Sequence, residues 1–143
     1  MRLDGAPWAN AGATAYEDWY LVRDMPALAS LNDAAVSGPR RAPHDVVARL
    51  AADGTAGLYL LRSGAPLAAP RAAAWFGKPS GMRYAELFAL LDPIVSGAGA
   101  GLWMRQMVLG PTPEFCLRSD QPVTLPPPIA ALQLELTPVW PAP

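Results

Sequence analysis

The run Leu102-Trp103-Met104-Arg105-Gln106-Met107-Val108-Leu109, then Gly110-Pro111-Thr112-Pro113, then Glu114-Phe115-Cys116-Leu117-Arg118, decides how this chain is read. Its first eight residues are apolar with a single charge and are bounded by Gly and Pro, which predicts a strand. Two prolines in the next four residues cannot continue a hydrogen-bonded ladder, so the chain must turn there. Residues 114–118 then return as the second strand of a hairpin.

Upstream of this hairpin, Gly97 to Gly101 holds three glycines and reads as a connector. Before it, Tyr84, Leu87, Phe88 and Leu91 recur at helical spacing, predicting a helix from Met82 to Val95 with Ser80 as its cap. Pro93 must end or kink that helix. Ala72 to Phe76 and Gly57 to Arg62 read as strands, joined by a turn over Ala65 to Arg71 that contains two prolines. A short helix precedes them: Pro43 suits its first turn, Val46, Val47 and Leu50 form an apolar face, and Gly54 ends it. A longer one opens at Asp24, a good N-cap. It places Met25, Leu28, Leu31 and Ala35 on one face and closes at Gly38-Pro39. Tyr16 to Val22, aromatic and β-branched, reads as the first strand.

The ends are less patterned. Residues 1–14 read as a loosely tied arm from which Trp8 can dock on the body. Pro126-Pro127-Pro128 should be extended. Leu132, Leu134 and Leu136 alternate with Gln133, Glu135 and Thr137, giving a strand with one wet face. A single domain is expected over 15–137, followed by a proline-rich tail at 138–143.

The order strand, helix, strand occurs twice. It predicts an α+β fold: a ferredoxin-like βαββαβ with an extra short helix and a C-terminal strand, its helices on one face of the sheet. From Tyr16 to Arg118 this order and composition resemble the dimeric α+β barrel superfamily, which includes the antibiotic-biosynthesis-monooxygenase-like and EthD-like families. The resemblance implies two sheets pairing into a barrel, with inward aromatics lining a pocket. No catalytic signature of any one member family accompanies it.

Composition bounds the function. The chain has 143 residues, 52% of them hydrophobic and only 16% charged, below the usual quarter. So few charges imply apolar area covered by a partner, and a twofold homodimer is expected. A net charge of −1 without a basic stripe argues against nucleic acid and anionic membranes. No apolar run of signal-peptide or membrane-span length is visible, so a cytoplasmic protein is expected. The lone Cys116 forbids an internal disulfide and reads as an inert buried thiol. With His44 the only histidine, a multi-histidine metal site is excluded within one chain, and no metal or cofactor is expected.

The candidate site residues follow. Trp103 and Arg105 share strand parity, and an arginine on an apolar face needs a carboxylate, a ligand anion or a dimer mate. Trp19 and Trp75, also in expected strands, either fill core or line the same pocket. Asp18 and Tyr20 share a face of the first strand. Arg40, Arg41 and His44 lead into a helix N-terminus, where they can hold an anion or form a solvated loop. Gly97 to Gly101 is not a dinucleotide loop, because it follows a helix and precedes a strand.

These features favour a domain without its own catalysis, either binding a small apolar or anionic ligand or assembling through its sheet. The alternative is a cofactor-free oxygenase or isomerase acting on an aromatic or polyketide-like substrate, with Trp103, Arg105, Tyr20 and Asp18 meeting in one pocket. A third reading is haem binding through His44.

Overall fold

Seven strands, three α-helices and one 3-10 turn make up the residues that the structure, a computed structural model, describes. Those residues are 1–3, 5–8, 14–50 and 55–139, apart from the side chains of 108 and 109. The elements are β1 (Arg2–Leu3), β2 (Ala15–Tyr16), α1 (Met25–Val36), the 3-10 turn (Gly38–Arg40) and α2 (Arg41–Ala48), followed by β3 (Ala56–Gly64), β4 (Ala72–Phe76), α3 (Tyr84–Gly97), β5 (Gly101–Leu109), β6 (Phe115–Ser119) and β7 (Ala131–Thr137). The chain is α+β and divides into two compact units, one of Met1–Glu17 with Thr55–Pro143 and one of Asp18–Gly54.

The strands form one sheet in the order β2-β1-β7-β4-β6-β5-β3. Every neighbouring pair is antiparallel. This is not the expected ferredoxin-like βαββαβ with helices on one face. Only the second strand-helix-strand unit forms. Both β4 and β5 run antiparallel to β6, so they are parallel to each other, α3 carries the crossover, and β6 fills the gap. The first unit fails because Tyr16 to Val22 supplies only Tyr16 to the two-residue β2, at the sheet edge against β1. The place beside β4 goes to β7 instead. Three leucines of one parity recommend it: β7 buries Leu134 and Leu136, whereas Tyr20 and Leu21 stay exposed.

One sheet face carries the core. Leu87, Leu91 and Val95, spaced by four along α3, are buried with Ala74 and Phe76 of β4, Phe115 and Leu117 of β6, and Leu102 of β5. Leu125 and Ile129, from the loop before β7, close the same cluster. Arg83, not the expected Ser80, caps α3: its N–H donates to Glu86 Oε2 at 3.0 Å, and its carbonyl accepts from Leu87 N–H. Pro93 does not end the helix, which runs on to Gly97. A proline there removes one backbone donor from the helix ladder. The Pro126-Pro127-Pro128 run is not extended. It holds a cis Pro127-Pro128 bond, and Ile129 N–H returns to the Pro126 carbonyl at 3.0 Å.

In the second unit, Asp24 accepts from Ala27 N–H at 2.8 Å as the N-cap of α1, with Pro26 in the first turn. Gly38, at φ +60°, starts the turn into α2. Neither α1 nor α2 contains a buried residue. The expected helix end at Gly54 falls outside the described residues, as do parts of the N-terminal arm and most of the C-terminal tail. Among the described residues no helix is long and apolar enough to cross a membrane.

Candidate functional site

The sheet face away from α3 gathers the strand aromatics. Lateral register sets Leu132, Trp75, Cys116, Trp103 and Leu61 in one row across β7, β4, β6, β5 and β3. Side chains in such a row point to the same face. The next row holds Leu134, Ala73, Arg118 and Gly101. Trp75, Trp103 and, by strand parity, Arg105 thus lie on one face.

Residues from distant parts of the chain complete the face. Trp8 meets Trp75 edge-on, with ring centroids 5.1 Å apart and planes at 67°. Tyr59 does the same at 5.8 Å and 83°. Such edge-to-face contacts suit the ring quadrupoles. The Tyr59 hydroxyl lies 3.0 Å from both Thr112 Oγ1 and the Pro113 carbonyl. Arg105 Nη1 donates to the Thr112 carbonyl at 2.8 Å. The partner that Arg105 requires is therefore backbone of the β5–β6 turn. Arg118 Nη2 donates to Glu17 Oε1 at 2.8 Å, and the two side chains are only 6% and 13% exposed.

Electrostatics follow from this burial. Desolvation raises the pKa of Tyr59, and the hydrogen bond with Thr112 opposes it. Desolvation pushes the Cys116 thiol well above its ordinary value, with Arg118 opposing. A buried thiol that keeps its proton is no nucleophile. Trp75 and Trp103 are themselves buried. This face is filled by the chain's own side chains.

The remaining candidates lie in the unit Asp18–Gly54. Asp18 and Tyr20 are exposed and Trp19 is half-buried, ahead of α1. Arg40, Arg41 and His44 flank the start of α2, all exposed. Asp45 answers two of them, with Arg41 Nε at 3.8 Å and His44 Nδ1 at 3.7 Å. The 3-10 turn also occupies a donor that an anion would want, since Arg41 N–H reaches the Gly38 carbonyl.

Two further clusters occur in the sheet unit. The Tyr84 hydroxyl donates to Glu114, whose carboxylate raises the Tyr84 pKa and also accepts from Lys78 N–H at 3.4 Å. Lys78 Nζ donates to the Met82 carbonyl at 2.6 Å, so the cluster ties the approach to α3 onto the β5–β6 turn. An open groove of about 280 Å³ runs beside β7 between Val123, Leu125, Ile129 and Gln133. Among the described residues no three His, Cys, Asp or Glu side chains gather as a metal site.

Sequence reasoning missed Glu17, Tyr59, Thr112 and Arg118. The signal for Arg118 was present: it shares parity with Cys116 in an apolar strand, the same argument that selects Arg105. Tyr59 and Glu17 carried no local signal, because their partners lie 53 and 101 residues away. No family model, curated protein or solved structure matches the chain.

Proposed function

We propose that this protein is an assembly domain without chemistry of its own, which forms a homodimer by pairing sheet edges. One observation carries the reading. Among the described residues β3, nine residues long, pairs on one side only, with β5, whereas the strand at the other edge, β2, has two residues. Short edge strands are a common protection against added strands; a long apolar edge is a template for one. Ala56 to Leu61 contains no charge and no proline, and Leu60 is 54% exposed.

A second β3 is the partner that twofold symmetry supplies. In an antiparallel pairing centred on Leu60, Arg62 falls opposite Leu58 of the second copy. The only charge of the strand then does not meet its like. The engagement of Arg105 by the Thr112 carbonyl favours a structural role for the Trp75–Trp103 face over a catalytic one. We place the assembly in the cytoplasm, where a lone thiol such as Cys116 stays reduced.

Light scattering across micromolar concentrations tests this. The expected mass is twice 15.1 kDa for the native chain. Leu60→Lys sets like charges opposite each other at the twofold axis and should dimerise at least tenfold more weakly than the native chain, with an unchanged circular dichroism spectrum. A native chain of 15.1 kDa throughout, or a Leu60→Lys variant that dimerises normally, overturns the reading.

A further inference from the structure

The helical unit Asp18–Gly54 poses a separate problem of cohesion. It is shorter than the roughly 40 residues below which a domain usually needs a disulfide, a metal or a partner. The only cysteine, Cys116, lies outside it. No metal-holding group of His, Cys, Asp or Glu occurs among the described residues. No residue of α1 or α2 is buried, and Leu50, Val47, Val46 and Met25 are 82%, 66%, 62% and 59% exposed. Leaving that apolar surface in water forfeits the stabilisation its burial would give. Within this unit those side chains are left largely uncovered.

We propose that this unit pairs with the same unit of a second copy, α1 of one chain against α2 of the other, in a four-helix cluster. The charge distribution selects that occupant. Around α1 stand Asp18, Asp24 and Asp33 against Arg23; around α2 stand Arg40, Arg41 and Arg49 against Asp45. The two halves therefore carry opposite net charge. The described ion pairs stay within each half, Arg23 with Asp24 at 3.0 Å and Arg41 with Asp45 at 3.8 Å. Asp18 and Asp33 on one half, and Arg40 and Arg49 on the other, form no ion pair among the described residues. A twofold axis sets each acidic half against a basic one, and does so twice, because residue i meeting j implies j meeting i. The α1 sequence, twelve residues with Asp33 as its only charge and five alanines or serines on its faces, lets a second helix approach closely.

This proposal concerns residues other than those of the sheet-edge reading, so the two can fail separately. The test uses the full chain in two charge-reversed forms, Arg40→Glu/Arg49→Glu and Asp18→Lys/Asp33→Lys. Asp24 is left alone because it caps α1. Each form by itself should dimerise at least tenfold more weakly than the native chain, and an equimolar mixture should recover native affinity as a heterodimer. Circular dichroism follows the helices in parallel; where a single form loses helicity, mixing should restore it. Two forms that each dimerise natively, while Leu60→Lys does not, overturn the helical pairing and leave the sheet edge standing. A mixture no tighter than its components also overturns it, as does a native chain that is monomeric with helices protected from hydrogen exchange.

Discussion

Removing the carboxylate of Glu17 tests how the N-terminal segment is held on the sheet. Arg118 lies in β6 with its side chain 6% exposed, and Glu17, 13% exposed, meets it at 2.8 Å. At an effective dielectric of about 20, two unit charges at that separation attract by about 6 kcal/mol. Desolvation of both ions offsets much of this, so the net worth of the pair against an apolar isostere is small. Removing one partner is different, because the buried guanidinium remains, and such losses typically cost about 3–5 kcal/mol. Glu17→Gln, which keeps an acceptor, should lie near the lower figure and Glu17→Ala near the upper. For a chain of this size about 3 kcal/mol lowers Tm by roughly 10 °C. The assay is urea and thermal unfolding followed by circular dichroism, run as a double-mutant cycle. Glu17→Leu combined with Arg118→Met should recover most of the stability that either single change loses. A Glu17→Ala loss below about 1 kcal/mol, or single losses that simply add in the double variant, refutes the reasoning.

Other consequences are open to simpler measurements. Tyr59 holds its proton above the ordinary value of 10.0 because it is buried, so the stability it contributes is complete below pH 10 and declines as pH rises through the folded value. Urea midpoints between about pH 9 and 12 should fall for the native chain and fall less for Tyr59→Phe; identical pH curves contradict this. Leu91→Ala, at a fully buried position of α3, should cost about 2–5 kcal/mol in urea unfolding. Leu90→Ala, 40% exposed on the same helix, should cost under about 1 kcal/mol, and equal losses would place the core wrongly. At Gly64 the backbone has φ +82° and an added Cβ would come within 1.9 Å of the Ala100 carbonyl oxygen. Gly64→Ala should therefore destabilise more than Gly81→Ala, where φ is +79° but nothing lies within 4 Å.

Local rules read some of this chain well. Ala72 to Phe76 forms a strand with the expected bounds, Asp24 caps α1, and the β5–β6 hairpin turns on Gly110 to Pro113. Each depends on residues within a few positions of one another: a cap, a proline, an apolar run. The sheet order was not legible, because two stretches competed for one position. Tyr16 to Val22 has the stronger β composition by residue type, yet Glu17 is committed to Arg118 in the fold. The alternating leucines of β7 carry no such commitment and take the interior place beside β4. The end of α3, expected at Val95, lies at Gly97: the buried contacts of Leu91 and Val95 carry the helix past Pro93 at the cost of one backbone donor.

The candidate site divides along the same line. Parity on a strand is local, so it correctly puts Trp103 with Arg105 and, applied once more, puts Arg118 with Cys116. What lies over a face is non-local, and here it decides the chemistry. Arg105 on an apolar face suggests a ligand anion until the Thr112 carbonyl is found 2.8 Å away. Tryptophans on a sheet suggest a pocket until Trp8, more than sixty residues upstream in the chain, packs against Trp75. The same reasoning turns round for the helical unit. There the sequence pattern is an ordinary amphipathic one, and the described structure buries none of it fully, leaving Leu28, Leu31 and Ala35 half-buried and Met25 exposed. Arg105, Arg118 and Trp75, which look functional in the sheet, meet partners within the chain, whereas Leu60 of β3 and Met25, Val46 and Val47 of the helices stay exposed among the described residues. Function in this protein is therefore to be sought where apolar surface and charge are left unmatched.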